Sequence, residues 1–175
     1  DGQVYKGLKP VHRCTHCVTA LAEAEVEYAD HRSTSVYVKF PVKAGLSGQI
    51  PGIDPANSFF VIWTTTPWTL PANLAVCLHP EFQYVALRTH LGDLIVAEER
   101  VPALVAEWGL KDHKILGRCA GMNFEKIVCQ HPFIGRDSLV IVGDHVTLEQ
   151  GTGCVHTAPG HGQEDYVVGQ KYGLD

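Results

Sequence analysis

The sequence predicts a mixed α/β domain with a β-barrel-like core and a few peripheral helices. Many short segments rich in β-branched and aromatic residues alternate with turns that contain Gly or Pro, and only two segments have helical composition. The regular strand–helix alternation of a doubly wound parallel sheet is missing. The 175 residues, of which 45% are hydrophobic and 19% are charged, suit one domain with a substantial core.

The first third of the chain is predicted to contain three strands and a long loop. In residues 22–28, Ala, Val and Tyr alternate with Glu, and this period of two predicts a strand with one polar face. Residues 35–40 form a second strand, followed by a Gly- and Pro-rich loop over residues 41–57. The most hydrophobic strand, residues 58–66, is expected to stop at Pro67 because proline has no N–H for the ladder.

The rest of the chain is predicted to contain further short strands and two helices. A hairpin turn at residues 91–93 is expected between two of the strands. The other predicted strands are residues 73–78, 82–89, 94–97, 114–116, 139–142 and 154–157, and the helices are residues 98–108 and 165–172.

Charge and composition exclude several classes of protein. A net charge of −5 is unlike a stand-alone nucleic-acid-binding protein, so any contact with nucleic acid is expected to be local. No apolar run approaches the roughly 18 residues that span a bilayer, and the N-terminus is no signal peptide. We therefore expect no membrane partner, a cytoplasmic location and reduced cysteines. We also expect the chain, which lacks an initiating Met, to be a piece of a longer protein.

Three hydroxyl side chains stand at the end of the predicted strand 58–66, within the stretch 63–73 (Trp-Thr-Thr-Thr-Pro-Trp-Thr-Leu-Pro-Ala-Asn). Strand alternation places Thr64 and Thr66 on one face and Thr65 on the other. Clustered hydroxyls at a strand end suit binding of a small polar ligand or orientation of a water molecule. The alternative interpretation is structural, because threonine is favoured in strands.

A second polar stretch, residues 151–165, gathers two histidines and two carboxylates in a glycine-rich loop ahead of the last predicted helix. A zinc-dependent hydrolase would use His156, His161 and Asp165, although their spacing matches no helical metal motif. The structural alternatives are a buried histidine at a strand end and a carboxylate that caps a helix. The stretch does not match a phosphate-binding loop, because no Gly-Lys-Ser/Thr follows it.

The pair Cys14-x-x-Cys17 has the spacing of half a tetrahedral zinc site. The sequence holds no second pair, so a closed site would need ligands from outside this chain. Two free thiols in a loop are the alternative. We therefore assign no metal ligand within the chain.

Residues 63–73 and 151–165 together resemble the two signature stretches of the inserted editing (CP1) domain of isoleucyl-tRNA synthetases, which are class I aminoacyl-tRNA synthetases. The resemblance extends to residues 20–28 and 169–174 and so spans nearly the whole chain. The related valyl and leucyl enzymes typically read Thr-Thr-Arg-Pro where this chain has Thr66 before the proline. One departure is Arg13, which stands where many relatives have a tryptophan.

The resemblance implies an editing reaction, namely the hydrolysis of misformed valyl-tRNA(Ile) and of valyl-adenylate. One missing methylene changes binding by only about 1–3 kcal/mol, and isoleucyl-tRNA synthetase is the standard example of this limit. A second, smaller pocket can then accept the valyl product and exclude isoleucine. The alternatives are a non-catalytic module that binds the tRNA 3′ end, and the editing domain of a valyl or leucyl relative.

The resemblance also implies a set of site residues. Asp165 is expected to anchor the α-ammonium group of the substrate, while His156 and the threonines shape the side-chain pocket. No base–nucleophile pair is evident, so we expect catalysis mainly by positioning of the ester and water. The implied catalytic residues are Thr65, Thr66, His156 and Asp165, and the implied substrate-binding residues are Trp63, Thr64, Trp68, Thr69 and Asn73.

The implied organisation is a junction arm over residues 1–20, which leads to a parent catalytic domain, and an editing domain over residues 21–175. The expected partners are the tRNA(Ile) 3′ end with its valine moiety and the remainder of the synthetase chain. The resemblance implies no cofactor in this fragment. It implies ATP in the parent enzyme and leaves zinc there open.

Overall fold

The main feature of the computed structural model, which describes residues 3–4 and 6–174, is a single nine-stranded sheet. Two α-helices and five short 3-10 helices surround it within the described residues. The strands are β1 (Val36–Ala44), β2 (Ser58–Thr64), β3 (Ala75–Leu78), β4 (Gln83–Thr89), β5 (Gly92–Ala97), β6 (Lys114–Ala120), β7 (Val128–Gln130), β8 (Asp137–Val142) and β9 (Cys154–Thr157). The helices are α1 (Val101–Glu107) and α2 (Gln163–Tyr172), and the 3-10 helices are Glu23–Glu25, Pro55–Asn57, Pro67–Ala72, Glu98–Arg100 and Gly121–Phe124.

The sheet runs in the order β6-β4-β5-β2-β1-β7-β8-β3-β9. All neighbours are antiparallel except β2 with β5 and β3 with β8, which are parallel. β1 pairs with β2 through its first part and with β7 through its last part, with an irregular register between Val42 and Ala44. This one strand therefore joins the two halves of the sheet.

The predicted mixed α/β class with few helices is confirmed, but the sheet is open. Within residues 3–4 and 6–174, the end strands β6 and β9 are not paired with each other, so the sheet does not close into a barrel. The main core lies inside the curved sheet, where the rings of Phe60 and Phe124 meet edge to face at 5.6 Å. α1 covers a second apolar cluster on β4 and β5, and α2 covers a third on β3 and β8.

Most predicted strands are present, with three corrections to the first third of the chain. The strand predicted for residues 22–28 is wrong, because this segment contains only the 3-10 helix Glu23–Glu25 and leaves Tyr28 85% exposed. β1 continues through Pro41, which stands in the last pair with β2 where a missing N–H is tolerated. β2 ends at Thr64 instead of Thr66.

Two further differences concern β5 and β7. The hairpin turn before β5 comprises residues 90–91, because Thr89 already pairs with Gly92. The three-residue strand β7 was not predicted, since it is too short to show a period. Helices α1 and α2 lie within one to two residues of their predicted ranges once the 3-10 turn Glu98–Arg100 is counted with α1.

The residues before β1 form an exposed arm on one side of the sheet. An isolated bridge between Arg13 and Ala20 closes a turn that contains Cys14 and Cys17. The hydroxyls of Ser33 and Tyr166 donate hydrogen bonds to backbone carbonyls that connect the arm with the body. The domain division at residue 20 stays a prediction. In the described part of the chain, no helix has the length and apolar character needed to cross a membrane.

Candidate functional site

The end of β2 presents the threonine cluster on two sides of the strand. The chain leaves the sheet after Thr64 and enters the 3-10 helix Pro67–Ala72. The Oγ1 atom of Thr66 lies 3.2 Å from that of Thr64, and the Thr66 N–H donates to Thr64 Oγ1 at 3.1 Å. Thr65 points the other way. The hydroxyls therefore lie on two sides as predicted, although Thr65 and Thr66 follow the last residue of β2.

The second polar stretch reaches the same place through β9 and α2. β9 pairs antiparallel with β3, which sets His156 opposite Val76. The following loop leads into the first turn of α2, which carries Asp165. The Ala158 N–H donates to Asp165 Oδ2 at 2.9 Å, and this bond ties the start of α2 to the end of β9. Two distant stretches of sequence thus converge at one edge of the fold.

These groups surround a cavity of about 670 Å³, which we call the histidine cavity. It contains all the predicted site residues except Thr65 and Asn73. Three residues of the N-terminal arm complete its wall. The lining comprises Pro10, Val11, His12, Trp63, Thr64, Thr66, Trp68, Thr69, Val155, His156, Gly160, His161, Gly162, Gln163 and Asp165.

A second cavity, of about 510 Å³, lies against the opposite side of the same strand end. We call it the glycine cavity, because its floor is the loop of residues 149–153 ahead of β9. Thr65 lines this cavity. Trp63, Thr64 and Val155 line both cavities, so the end of β2 separates them. The other lining residues are His145, Thr147, Glu149, Gln150, Gly151, Thr152, Gly153 and Cys154.

Asn73, which was predicted to bind substrate, lies behind His156 and is completely buried. Its Nδ2 atom lies 3.0 Å from His156 Nδ1, and on the far side of the ring Thr69 Oγ1 lies 2.8 Å from Nε2. Both ring nitrogens are therefore engaged, and neither offers a free lone pair to a metal. The zinc-hydrolase alternative, which needs His156 as a ligand, does not fit this arrangement.

The electrostatics of the histidine cavity favour a neutral imidazole and a cationic ligand. Burial, with a smaller effect of His161 and His131, lowers the pKa of His156 to about 4. Burial raises the pKa of the Asp165 carboxyl, which the Ala158 N–H and neighbouring histidines partly offset. Among the described residues that line this cavity there is no lysine or arginine. An ionised Asp165 therefore has no lysine or arginine as a counter-ion among these lining residues and suits an ammonium group.

Sequence reasoning missed the residues that hold the glycine-cavity loop. The Arg100 guanidinium donates to the carbonyl oxygens of Gly151 at 2.9 Å, Leu148 at 3.1 Å and Glu149 at 3.4 Å. The Tyr84 hydroxyl donates to Gly153 O at 2.6 Å. Arg100 and Tyr84 lie about fifty to seventy residues before the loop, so no local pattern connects them with it.

Gly153 is a position in this loop where the backbone requires glycine. Its φ of +79° lies in the left-handed region, and an added Cβ would stand 2.4 Å from the Ala97 Cβ. The close approach brings the loop against the end of β5, where the Ala97 N–H donates to Thr152 O at 2.8 Å. The glycines of the stretch therefore shape a cavity floor.

The Cys14 and Cys17 thiols lie apart from both cavities, in the arm. The Cys17 N–H donates to Cys14 Sγ at 3.3 Å, and backbone hydrogen bonds lower the pKa of Cys14. In residues 3–4 and 6–174, no group of three or more His, Cys, Asp or Glu side chains could hold a metal ion. This turn by itself supplies two ligands and no closed zinc site.

Comparison with known proteins gives matches in sequence and in structure. Residues 98–175 match the family model of the leucyl-tRNA synthetase editing domain. The isoleucine–tRNA ligase of Syntrophotalea carbinolica is 56% identical over 174 residues, which cover 99% of this chain and 19% of the ligase. That of Moorella thermoacetica is 57% identical over 173 residues, which cover 99% of this chain and 18% of the ligase. The chain thus spans less than a fifth of the length of these relatives.

The fold is similar to solved editing domains. The crystal structure of GlLeuRS-CP1 has a TM-score of 0.64 at 14% identity, and the match covers 81% of this chain and 65% of that one. The P. falciparum cytosolic leucyl-tRNA synthetase editing domain has a TM-score of 0.56 at 16% identity, and the match covers 66% of this chain and 48% of that one. At these identities the likeness concerns the fold alone. Nearly the whole chain is thus similar in sequence to a segment of isoleucine–tRNA ligases, and residues 98–175 match the family model of a synthetase editing domain.

Proposed function

We propose that this chain hydrolyses the ester of valyl-tRNA(Ile), and also valyl-adenylate, within an isoleucyl-tRNA synthetase. The observation that carries the proposal is the pair of cavities on either side of the β2 end, one of which contains a carboxylate with no lysine or arginine among the described lining residues. An aminoacyl ester has a cationic amino acid at one end and a nucleoside at the other. The two cavities suit these two ends.

The valine moiety would occupy the histidine cavity. Its α-ammonium group would pair with Asp165, a charge-assisted contact that fixes the ester carbonyl. The engaged ring of His156 and the indole of Trp63 would form the wall against the aliphatic side chain. A longer side chain would meet this wall, which is the size limit that excludes isoleucine.

The terminal adenosine would occupy the glycine cavity. The ribose and the ester would then lie at the end of β2, beside the hydroxyls of Thr65 and Thr66. Three carbonyl oxygens of the loop are tied by Arg100, which keeps the floor of this cavity in one conformation. The tRNA 3′ end and the rest of the synthetase are the partners that this arrangement requires.

The reaction would proceed by positioning of the ester and a water molecule. Both nitrogens of His156 are engaged, and Asp165 is paired with substrate, so neither is suited to act as a general base. Threonine hydroxyls and the ribose hydroxyls can orient the attacking water. Water is the only co-reactant of ester hydrolysis, so the reaction needs no cofactor in this chain, and ATP belongs to the synthetic site of the parent.

Deacylation assays with valyl-tRNA(Ile) and isoleucyl-tRNA(Ile) test the proposal. We expect cleavage of the valyl ester only, and a loss of at least about tenfold in Asp165→Asn, which keeps the shape but not the charge. Glu164→Gln is the matched control, because Glu164 is an exposed neighbour in the same helical turn that does not line the histidine cavity. Cleavage should also fall as the pH drops through the raised pKa of Asp165, since protonation removes the charge that binds the ammonium.

Three other outcomes distinguish the alternatives. Tight binding of the tRNA 3′ end without hydrolysis, both here and in the full-length parent, identifies a passive binding module. Preference for threonyl-tRNA(Val) or for a misacylated tRNA(Leu) assigns the chain to a valyl or leucyl relative. Activity in the parent but not in the isolated chain shows that the chain needs tRNA contacts from neighbouring domains.

A further inference from the structure

A completely buried serine outside both cavities fixes the side-chain amide behind His156. The Asn73 Nδ2 atom lies 2.7 Å from the Ala75 carbonyl oxygen, which can only accept, so this end of the amide is the NH₂ group. Its Oδ1 atom accepts from the Ser138 hydroxyl at 2.7 Å. Ser138 and Asn73 are both 0% exposed, so water does not compete for these bonds. The amide therefore has one orientation.

The fixed amide determines which nitrogen of His156 carries the proton. Nδ2 of Asn73 is a donor and lies 3.0 Å from Nδ1, so Nδ1 is the unprotonated acceptor. The proton of the neutral ring is then on Nε2, 2.8 Å from Thr69 Oγ1. The Thr69 hydroxyl accepts a hydrogen bond from the Nε2–H group and donates its own hydrogen bond to Thr66 O at 2.9 Å. One chain of hydrogen bonds thus runs from β8 through the ring to the end of β2.

We propose that Ser138 is a positioning residue, which acts through Asn73 to keep His156 neutral with its proton on Nε2. This inference rests on the proposed function and deepens it. With both nitrogens engaged, the ring presents its carbon–hydrogen edge to the histidine cavity, which suits an aliphatic side chain. A charged ring would instead place a second cation beside the ammonium group expected at Asp165.

Several ionisable groups face this ring. His131 is buried and its Nε2 atom lies 2.8 Å from Leu70 O, His161 stands in the loop before α2, and Asp165 lines the same cavity from α2 itself. The two histidines oppose a positive charge on His156, whereas an ionised Asp165 favours one. The Asn73 NH₂ group also opposes a proton on Nδ1, because two N–H donors would then face each other.

Two substitutions change this restraint in a defined way. Ser138→Ala leaves Asn73 Oδ1 buried without its donor, so the Ala75 carbonyl oxygen alone then opposes rotation of the amide, and a rotated amide accepts a hydrogen bond from a protonated His156 Nδ1. Asn73→Asp has nearly the same shape but only acceptors, so it draws a proton onto Nδ1 directly. Ser58→Ala is the matched control, because Ser58 is also buried in a strand and its hydroxyl donates to Asp54 O at 2.6 Å, away from His156.

Nitrogen-15 NMR of the labelled full chain reads the protonation of each ring nitrogen. We expect an unprotonated Nδ1 and a protonated Nε2 in the wild type and in Ser58→Ala. Asn73→Asp and Ser138→Ala should shift the ring toward protonated Nδ1 and raise its pKa by about one unit or more. Ser138→Cys, with a weaker donor of similar size, should give a smaller shift in the same direction and replaces Ser138→Ala should that variant not fold.

Deacylation gives a second readout, for which we expect cleavage of valyl-tRNA(Ile) by Ser138→Ala to fall about tenfold below that of Ser58→Ala. A wild-type ring protonated on Nδ1, or a Ser138 variant whose ring matches that of the Ser58 control, overturns the inference. Absence of ester cleavage both in this chain and in the full-length parent contradicts only the proposed function, because the NMR spectra still decide the state of His156.

Discussion

At the scale of single residues, Arg100 holds the loop of the glycine cavity without lining the cavity itself. Its planar guanidinium spreads several donors in fixed directions, which suits three carbonyl oxygens of one loop. A lysine ammonium is a compact charge and cannot reach all three positions. The conformation of the loop therefore depends on the shape of this side chain as well as on its charge.

We predict that Arg100→Ala raises the KM for valyl-tRNA(Ile) about tenfold or more, with a smaller effect on kcat, and that Arg100→Lys does not restore it. Hydrogen exchange should also become faster in residues 148–153, which reports the loop independently of activity. Arg118→Ala is the control, because Arg118 is mostly exposed and pairs with Glu98 at 3.0 Å beside the same turn. Unchanged exchange in the loop of Arg100→Ala would contradict the assigned role.

At the scale of elements, the hairpin of β4 and β5 is held by a nearly buried carboxylate. Asp93 accepts from Arg88 Nε and Nη2, both at 2.8 Å, and from the Asp54 N–H at 3.1 Å. The hydrogen bond from Arg88 lowers the pKa of Asp93. These bonds join the hairpin to the loop before β2, so the carboxylate connects two parts of the sheet.

We predict that Asp93→Asn lowers the free energy of unfolding at pH 7 by about 1–3 kcal/mol, because Arg88 loses its partner while remaining half-exposed. Since the pKa of Asp93 is lower in the folded state, its contribution is present above the unfolded-state pKa and is lost as the pH falls through the folded-state pKa. The difference between variant and wild type should therefore shrink on acidification.

Urea unfolding at several pH values measures this dependence. Asp137→Asn is the control, because Asp137 and Lys43 form an exposed pair at 2.6 Å, for which a change near zero is expected. Equal effects of the two substitutions would show that the buried carboxylate contributes no more than a surface pair.

The elements differ in how far the sequence could predict them. β2 has a short apolar run rich in aromatic and β-branched residues and bounded by prolines, which is typical of a buried strand, so its type and most of its range were predicted. Residues 22–28 show the strict alternation of a half-buried strand but bury almost nothing, and an alternating segment that pairs with no other strand does not form one. The same difference applies to the site. His156 and Asp165 stand in stretches that the sequence alone picks out, whereas Ser138 contacts Asn73 only because distant strands pair in the fold.

At the scale of the whole molecule, the sheet supplies the buried core, whereas the arm supplies part of the wall of the histidine cavity. The buried core comes from residues after β1 begins, whereas the described part of the first 20 residues is mostly exposed. The arm nevertheless places Pro10, Val11 and His12 in the wall of the histidine cavity. The two parts should therefore respond differently to truncation.

We predict that removal of residues 1–20 changes the free energy of unfolding by less than about 1 kcal/mol, because few buried contacts are lost. The histidine cavity should at the same time lose one wall, so the KM for valyl-tRNA(Ile) should rise and discrimination against the isoleucyl ester should fall. Thermal unfolding and deacylation of both esters measure the two effects. Loss of the cooperative transition would show instead that the arm belongs to the folded body.

The arm's place in the cavity wall has a thermodynamic consequence. A ligand that contacts residues 10–12 binds more tightly when the arm is docked, and the docked arm is in turn favoured when the ligand is present by the same free energy. If the arm leads to a catalytic domain, the orientation of that domain and the occupancy of the cavity become linked equilibria. Hydrolysis, which empties the cavity, would then release the arm and report the completed reaction to the rest of the chain.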